Sequence, residues 1–123
     1  MRAKDALGIE GEAVAERHLA ARGLRILARR ARVPSGELDL VALEGCEVVF
    51  VEVKTRHAAD FGEPEEAVTY AKRCKLRRAA VQWLDRANMP DAPYRIDVMG
   101  VLVGGAGTEP VITHFVSAIG ETG

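Results

Sequence analysis

At 123 residues the chain is long enough to bury one core without disulfides or a structural metal, so a single domain over residues 1–123 is expected. Its composition, 48% hydrophobic and 28% charged, argues against disordered, collagen-like and membrane-embedded classes. The formal charge of −1 hides blocks of opposite sign, +4 over residues 1–32, −7 over 33–70, +4 over 71–99 and −2 over 100–123; an acidic centre between basic flanks suits a cation site facing a polyanion, and also arises when charges merely cover solvated helix faces.

The start, MRAKDALGIEGEAV, lacks the apolar core of a signal peptide. From about Lys4 to Arg22 the spacing of Leu7, Val14, His18 and Leu19 predicts an amphipathic helix, with Gly23 as its C-terminal stop. LRILARRAR (24–32) reads as a strand carrying basic residues, PSG (34–36) breaks the chain, and GELDLVAL (36–43) alternates with period two. A turn near Gly45 leads into EVVFVEVKT, whose VVFVEV is the longest strongly apolar stretch and too short to span a bilayer. Cys46 and Cys74 form neither a C-x-x-C pair nor a Cys/His metal spacing, which points to reduced thiols in a cytoplasmic protein.

Loop signals through HAADFGEP precede a helical pattern from about Glu65 to Ala87, with Val68, Lys72, Leu76, Ala79, Ala80 and Trp83 on one stripe. YRIDVMGVLV (94–103) and PVITHFVSAI (110–119) follow as strands. The order is αβββαββ. It predicts an α/β fold, a mixed β-sheet flanked by helices, because the strand after the second helix can return parallel to a central strand by crossover.

Charges in apolar surroundings are costly unless satisfied, which singles out Asp39, Glu52 and Lys54. In a hairpin closed by a short loop at Gly45, cross-strand partners sum to 89 or 91, and Asp39 with Glu52 sums to 91. The two carboxylates then share a face, directly opposite or diagonal, about 4.5 to 8 Å apart. Alternation puts Lys54 with Glu52 and turns Val49, Val51 and Val53 to the reverse face, where Leu38 and Leu40 are also expected. Hard oxygen ligands at this separation suit Mg²⁺, with Mn²⁺ as its substitute, and the ion keeps waters that a substrate phosphate can displace. The competing reading is a structural Glu52–Lys54 ion pair at a strand end.

Around this centre, Glu12 and Glu16 lie four apart on the first helix and can present a carboxylate to the sheet. Glu37 shares the face of Asp39 and reads either as an outer-shell group or as a solvated strand end. Arg29, Arg30, Arg32 and Arg56 can hold phosphates or snorkel over a sheet edge, and Lys72 either reaches the site or bends to water. His18, His57 and His114 have no metal spacing, and Ser35 and Ser117 no evident base.

The segments GEAVAERHLAARGLRILARRAR, GELDLVA, VVFVEVKTR, FGEPEEAV, Lys72 and YRIDV together resemble the YraN-like bacterial proteins, whose fold is of the PD-(D/E)XK nuclease type related to Holliday junction resolvases. The resemblance implies a restriction-endonuclease-like αβββαβ core. It further implies Asp39 and Glu52 as metal ligands with the Val53 carbonyl as a third, Lys54 as the catalytic lysine and Glu12 as support from the first helix. The expected activity is metal-dependent hydrolysis of DNA phosphodiesters at branched or processed structures, by a protein that does not engage membranes and for which a homodimer is an allowed assembly. The rival functions are a non-cleaving nucleic-acid-binding accessory and a protein-interaction module.

Overall fold

The computed structural model describes residues 3–57, 69–104 and 107–119, with side chains from Gly8 onward. Helix α1 spans Ala3–Ala21 and presents Val14, Ala15 and Leu19 to the interior, all buried. It ends where the sequence places its stop: the Leu24 N–H donates to the Leu19 carbonyl at 3.0 Å and the Gly23 N–H to that of Ala20 at 3.0 Å, satisfying carbonyls left over at the helix end.

Five strands follow the expected segments, β1 Arg25–Val33, β2 Gly36–Glu44, β3 Glu47–His57, β4 Tyr94–Val103 and β5 Val111–Ile119. They form one sheet in the order β1-β2-β3-β4-β5, antiparallel except for β3 and β4, which run parallel. Helix α2, Tyr70–Arg86, makes the crossover between those two. Thr69 sits in extended conformation before it and its hydroxyl accepts from the Lys72 N–H at 3.2 Å, so the helix begins at Tyr70 rather than at Glu65. Val68, residues 65–67 and the FGEPEEAV segment lie outside the described residues.

Each helix covers one side of the sheet. On the α1 side Val14, Ala15 and Leu19 pack with Leu40, Ala42, Val49, Val51, Met99 and Val101, and Val53 joins them. On the α2 side Leu76, Ala79, Ala80 and Leu84 pack with Val41, Val48, Phe50 and Ile96. Trp83 and Tyr94 meet the Phe50 ring edge-on, with centroids 5.7 and 5.9 Å away. Leu84 completes the buried stripe and was not in the predicted set.

Leu38 corrects a prediction. It packs with Val33 on the α2 side although Leu40, two residues on, packs on the α1 side. Regular strand alternation would return both to one face. The reversal falls at Asp39, beside Arg30, whose left-handed φ of 46° twists β1 at that point.

Candidate active site

The Gly45–Cys46 turn fixes the β2–β3 register so that Leu40 faces Val51 and Glu44 faces Glu47, the odd sum of 91 expected for this hairpin. The backbone ladder stops at Leu40 and Val51, and one step further the Asp39 side chain takes its place: Asp39 Oδ2 accepts the Val53 N–H at 2.8 Å. Asp39 therefore stands where the strands part, opposite Glu52. The two carboxyl groups line the same cavity, near enough for each to affect the other's proton.

Two neighbouring carboxylates cannot both ionise cheaply in partly dry surroundings. Burial, then the hydrogen bond and charge of Glu52, push Asp39 up to about 8, so that it holds a proton at neutral pH. Burial also works against the charge on Glu52, but the Asp39 hydrogen bond and the Lys72 ammonium outweigh it and its carboxyl is lowered. Lys72 Nζ lies 3.0 Å from Glu52 Oε2, so the lysine that could have bent to water reaches the site instead. The ion-pair partner of Glu52 is thus Lys72 rather than Lys54.

Lys54 completes the group, near enough to Lys72 for the two positive charges to work against each other. Burial and then the Lys72 ammonium lower the Lys54 amine below its usual value. For Lys72, burial opposes the charge but the Glu52 carboxylate at 3.0 Å, with Asp39 behind it, prevails, and it is raised. One lysine therefore keeps its charge firmly while its neighbour gives up a proton more readily. Beside them is a cavity of about 260 Å³ lined by Glu37, Asp39, Glu52, Lys72, Lys75 and Leu76 among others. Lys75 was not singled out from sequence; its spacing of three from Lys72 was the available signal.

Glu12 reaches the site indirectly. Its Oε1 accepts from Arg30 Nε at 2.8 Å, and its charge adds to those that raise Asp39. The neighbouring Glu16 holds Arg29 through two bonds of 2.6 and 2.7 Å. Arg32 lies 3.6 Å from Glu37, an exposed pair at the edge of the cavity that Glu37 shares with Asp39 and Glu52. Four of the five basic residues proposed to hold phosphates, Arg29, Arg30, Arg32 and Lys72, are thus engaged by carboxylates, and Arg56 is half-buried. Among the described residues no set of three or more His, Cys, Asp or Glu side chains converges. Any cation held here draws on Asp39, Glu52, backbone and water, which is the ligand economy of Mg²⁺.

A second polar network, absent from the sequence reading, lies on the α1 side. Asp97 is fully buried and accepts from His114 Nε2 at 2.8 Å, the Ser117 N–H at 2.8 Å and Arg95 Nε at 3.1 Å. The Ser117 amide is free to turn inward because the β4–β5 register shifts between Ile96 and Val98 and Ser117 adopts a φ of 52°. Arg95 extends the network to Glu44 and Glu47, at 2.7 and 2.9 Å. Every oxygen of Asp97 is occupied by the protein itself, which marks it as structural.

A profile of the uncharacterised protein family UPF0102 matches residues 11–101. UPF0102 proteins of Beutenbergia cavernae and Frankia alni are 52% and 50% identical over 111 residues, 90% of this chain and 94% and 91% of theirs. That of Nocardia farcinica is 47% identical over 90% of this chain and 87% of its own. A solved structure of Pyrococcus furiosus SfsA in complex with Ca²⁺ superposes with a TM-score of 0.41 at 15% identity, over 93% of this chain and 64% of that one, a loose likeness from which nothing functional follows. The chain belongs to UPF0102, the YraN-like group its motifs resemble.

Proposed function

We propose that this member of UPF0102 is a divalent-cation-dependent endonuclease that hydrolyses DNA phosphodiester bonds, including those of branched structures. A single observation carries the reading: Asp39 and Glu52, one register step beyond the Leu40–Val51 pair on adjacent strands, line one cavity together with Lys72 and Lys75. A carboxyl pair of this kind is poorly satisfied by one proton, and a divalent cation relieves its repulsion more fully. Mg²⁺ fits the donors present, as does Mn²⁺, with Asp39, Glu52 and the Val53 carbonyl as protein ligands and water for the rest. Such an ion, when bound, acidifies water and offsets charge on a phosphate.

The remaining work falls to the chain. The Val53 N–H fixes the Asp39 carboxyl, and the Glu12–Arg30 pair sets the charge behind it. Lys54 Nζ, its proton held less firmly than usual, orients the attacking water and meets the charge that develops on the phosphorane oxygens. Both cysteines are free, which supports a reducing, cytoplasmic setting. Among the described residues no helix is long and apolar enough to cross a membrane.

Incubation with linear, single-stranded and four-way-junction DNA, in Mg²⁺ or Mn²⁺, beside an Asp39→Ala control, tests the reading. Cleavage by the wild type and none by the variant is expected. Binding without cleavage in either ion would make the chain a non-cleaving nucleic-acid accessory, and failure to bind any nucleic acid would leave a protein-interaction module.

A further inference from the structure

We propose that the cavity beside the carboxylate pair is also a phosphate site, built by Lys72 and Lys75, and that Lys72 exchanges partners there, leaving Glu52 for a phosphate when a divalent cation takes over Glu52. The exchange rests on the reading of Asp39 and Glu52 as cation ligands; the phosphate site does not.

The charged groups that face the cavity are Glu37, Asp39 and Glu52 on the strands and Lys72 and Lys75 on α2. The Glu52 side chain is only 9% exposed and its counter-charge is the Lys72 ammonium at 3.0 Å, on a side chain that is 41% exposed. Lys72 is thus a built-in cation at the place a divalent ion would occupy, and its flexible stem has room to move away. A second positive charge nearby on Glu52 would repel it, and an anion in the cavity would offer it a new partner.

Lys75 lies one turn further along α2 on the same wall of the cavity. Its Cε stands 3.3 Å from where a Cβ on Gly36 would project, so the bare glycine leaves the space that the lysine stem occupies against β2. Among the described residues no ion pair engages Lys75, in contrast to Arg29, Arg30, Arg32 and Lys72. Helix α2 itself offers little further attraction, since Thr69 already occupies the Lys72 N–H. The site is therefore a pair of ammonium groups, one uncommitted and one releasable, in a volume of about 260 Å³. That suits a tetrahedral oxyanion of the phosphate mono- or diester class, which takes point charges from lysines without a planar fork. Thermodynamic linkage then requires that phosphate and divalent cation each tighten the other by one common factor.

Calorimetric titration of Mg²⁺ into the wild type, Lys72→Met and Lys75→Met, with and without inorganic phosphate, reads this without any turnover. Without phosphate, Lys72→Met should bind Mg²⁺ about fivefold more tightly than the wild type, the strength of a half-exposed ion pair that no longer has to be broken. Lys75→Met should leave that affinity unchanged. Phosphate should tighten Mg²⁺ binding by the wild type about fivefold and do so much less in either variant. A Lys72→Met protein that melts like the wild type but binds Mg²⁺ no better would overturn the exchange, and equal coupling in all three proteins would place the phosphate elsewhere. Mg²⁺ binding that survives Asp39→Ala would instead defeat the carboxylate reading, and the exchange with it. Binding that depends on Asp39 but ignores Lys72 sinks only the present proposal.

Discussion

Replacing Asp39 by asparagine should stabilise the protein while abolishing the divalent-cation binding proposed for the carboxylate pair. Folding raises the Asp39 carboxyl from 3.8 to about 8, through burial first and then the hydrogen bond and charge of Glu52. A carboxyl raised by folding contributes stability that is whole below its unfolded value and is lost as the pH climbs through the folded one. Between those limits the folded chain keeps a proton that the unfolded chain has released, so stability falls by at most ~1.4 kcal/mol per pH unit, with a ceiling of ~6 kcal/mol over the window. Glu52, lowered overall because Asp39 and Lys72 outweigh its burial, contributes with the opposite sign, but its gain is complete once the pH passes the ordinary value of 4.5, so it leaves the higher window to Asp39. A loss of ~3–4 kcal/mol between pH 5 and 8 is therefore expected in chelator. Asparagine has no proton to lose, can still accept the Val53 N–H and can donate to Glu52, so Asp39→Asn should be ~2 kcal/mol more stable than the wild type at pH 8 with a flatter profile. Urea unfolding at pH 5, 7 and 8 measures both proteins. A wild type whose stability is level across that range, or an Asp39→Asn variant less stable at pH 8, would refute the shared-proton account.

Lys54→Ala should retain Mg²⁺ binding yet lose cleavage by about a hundredfold or more, whereas Asp39→Ala loses both; calorimetry and a nuclease assay on the two variants separate charge on the water from charge on the ion. Asp97→Ala should cost ~3–5 kcal/mol in urea unfolding at neutral pH, because Arg95, His114 and the Ser117 N–H all lose a buried acceptor. Gly11→Ala should destabilise by ~1–3 kcal/mol, since the new Cβ would stand 2.7 Å from Thr55 Cβ where α1 meets β3, and Thr55→Gly in the same chain should recover most of the loss. DNA affinity, measured by fluorescence anisotropy, should fall with added salt, and Glu16→Ala should steepen that fall by freeing Arg29 from its two-bond pair.

Period-two alternation and odd-sum pairing depend only on the pleat and on a short turn, and they were enough to place all five strands, the β2–β3 register and the shared side of Asp39 and Glu52. The two helices were legible for a similar reason, an apolar stripe with a glycine stop in one case and a crossover in the other. Partnership between charges was not legible, because it is settled by long-range approach: Lys72 rather than Lys54 pairs with Glu52 because the crossover brings the first turn of α2 within reach of Glu52 in the middle of β3. The reversal of Leu38, the capture of Arg29 and Arg30 by α1, and the burial of Asp97 among Arg95, His114 and Ser117 have the same origin. Each needs a local break in strand geometry, at Arg30 or at Ser117, that neither residue type announces. Local periodicity thus determined which residues share a face, and tertiary packing alone decided which of them neutralise one another, since a charge selects its partner by distance and dryness and neither is encoded within a single element.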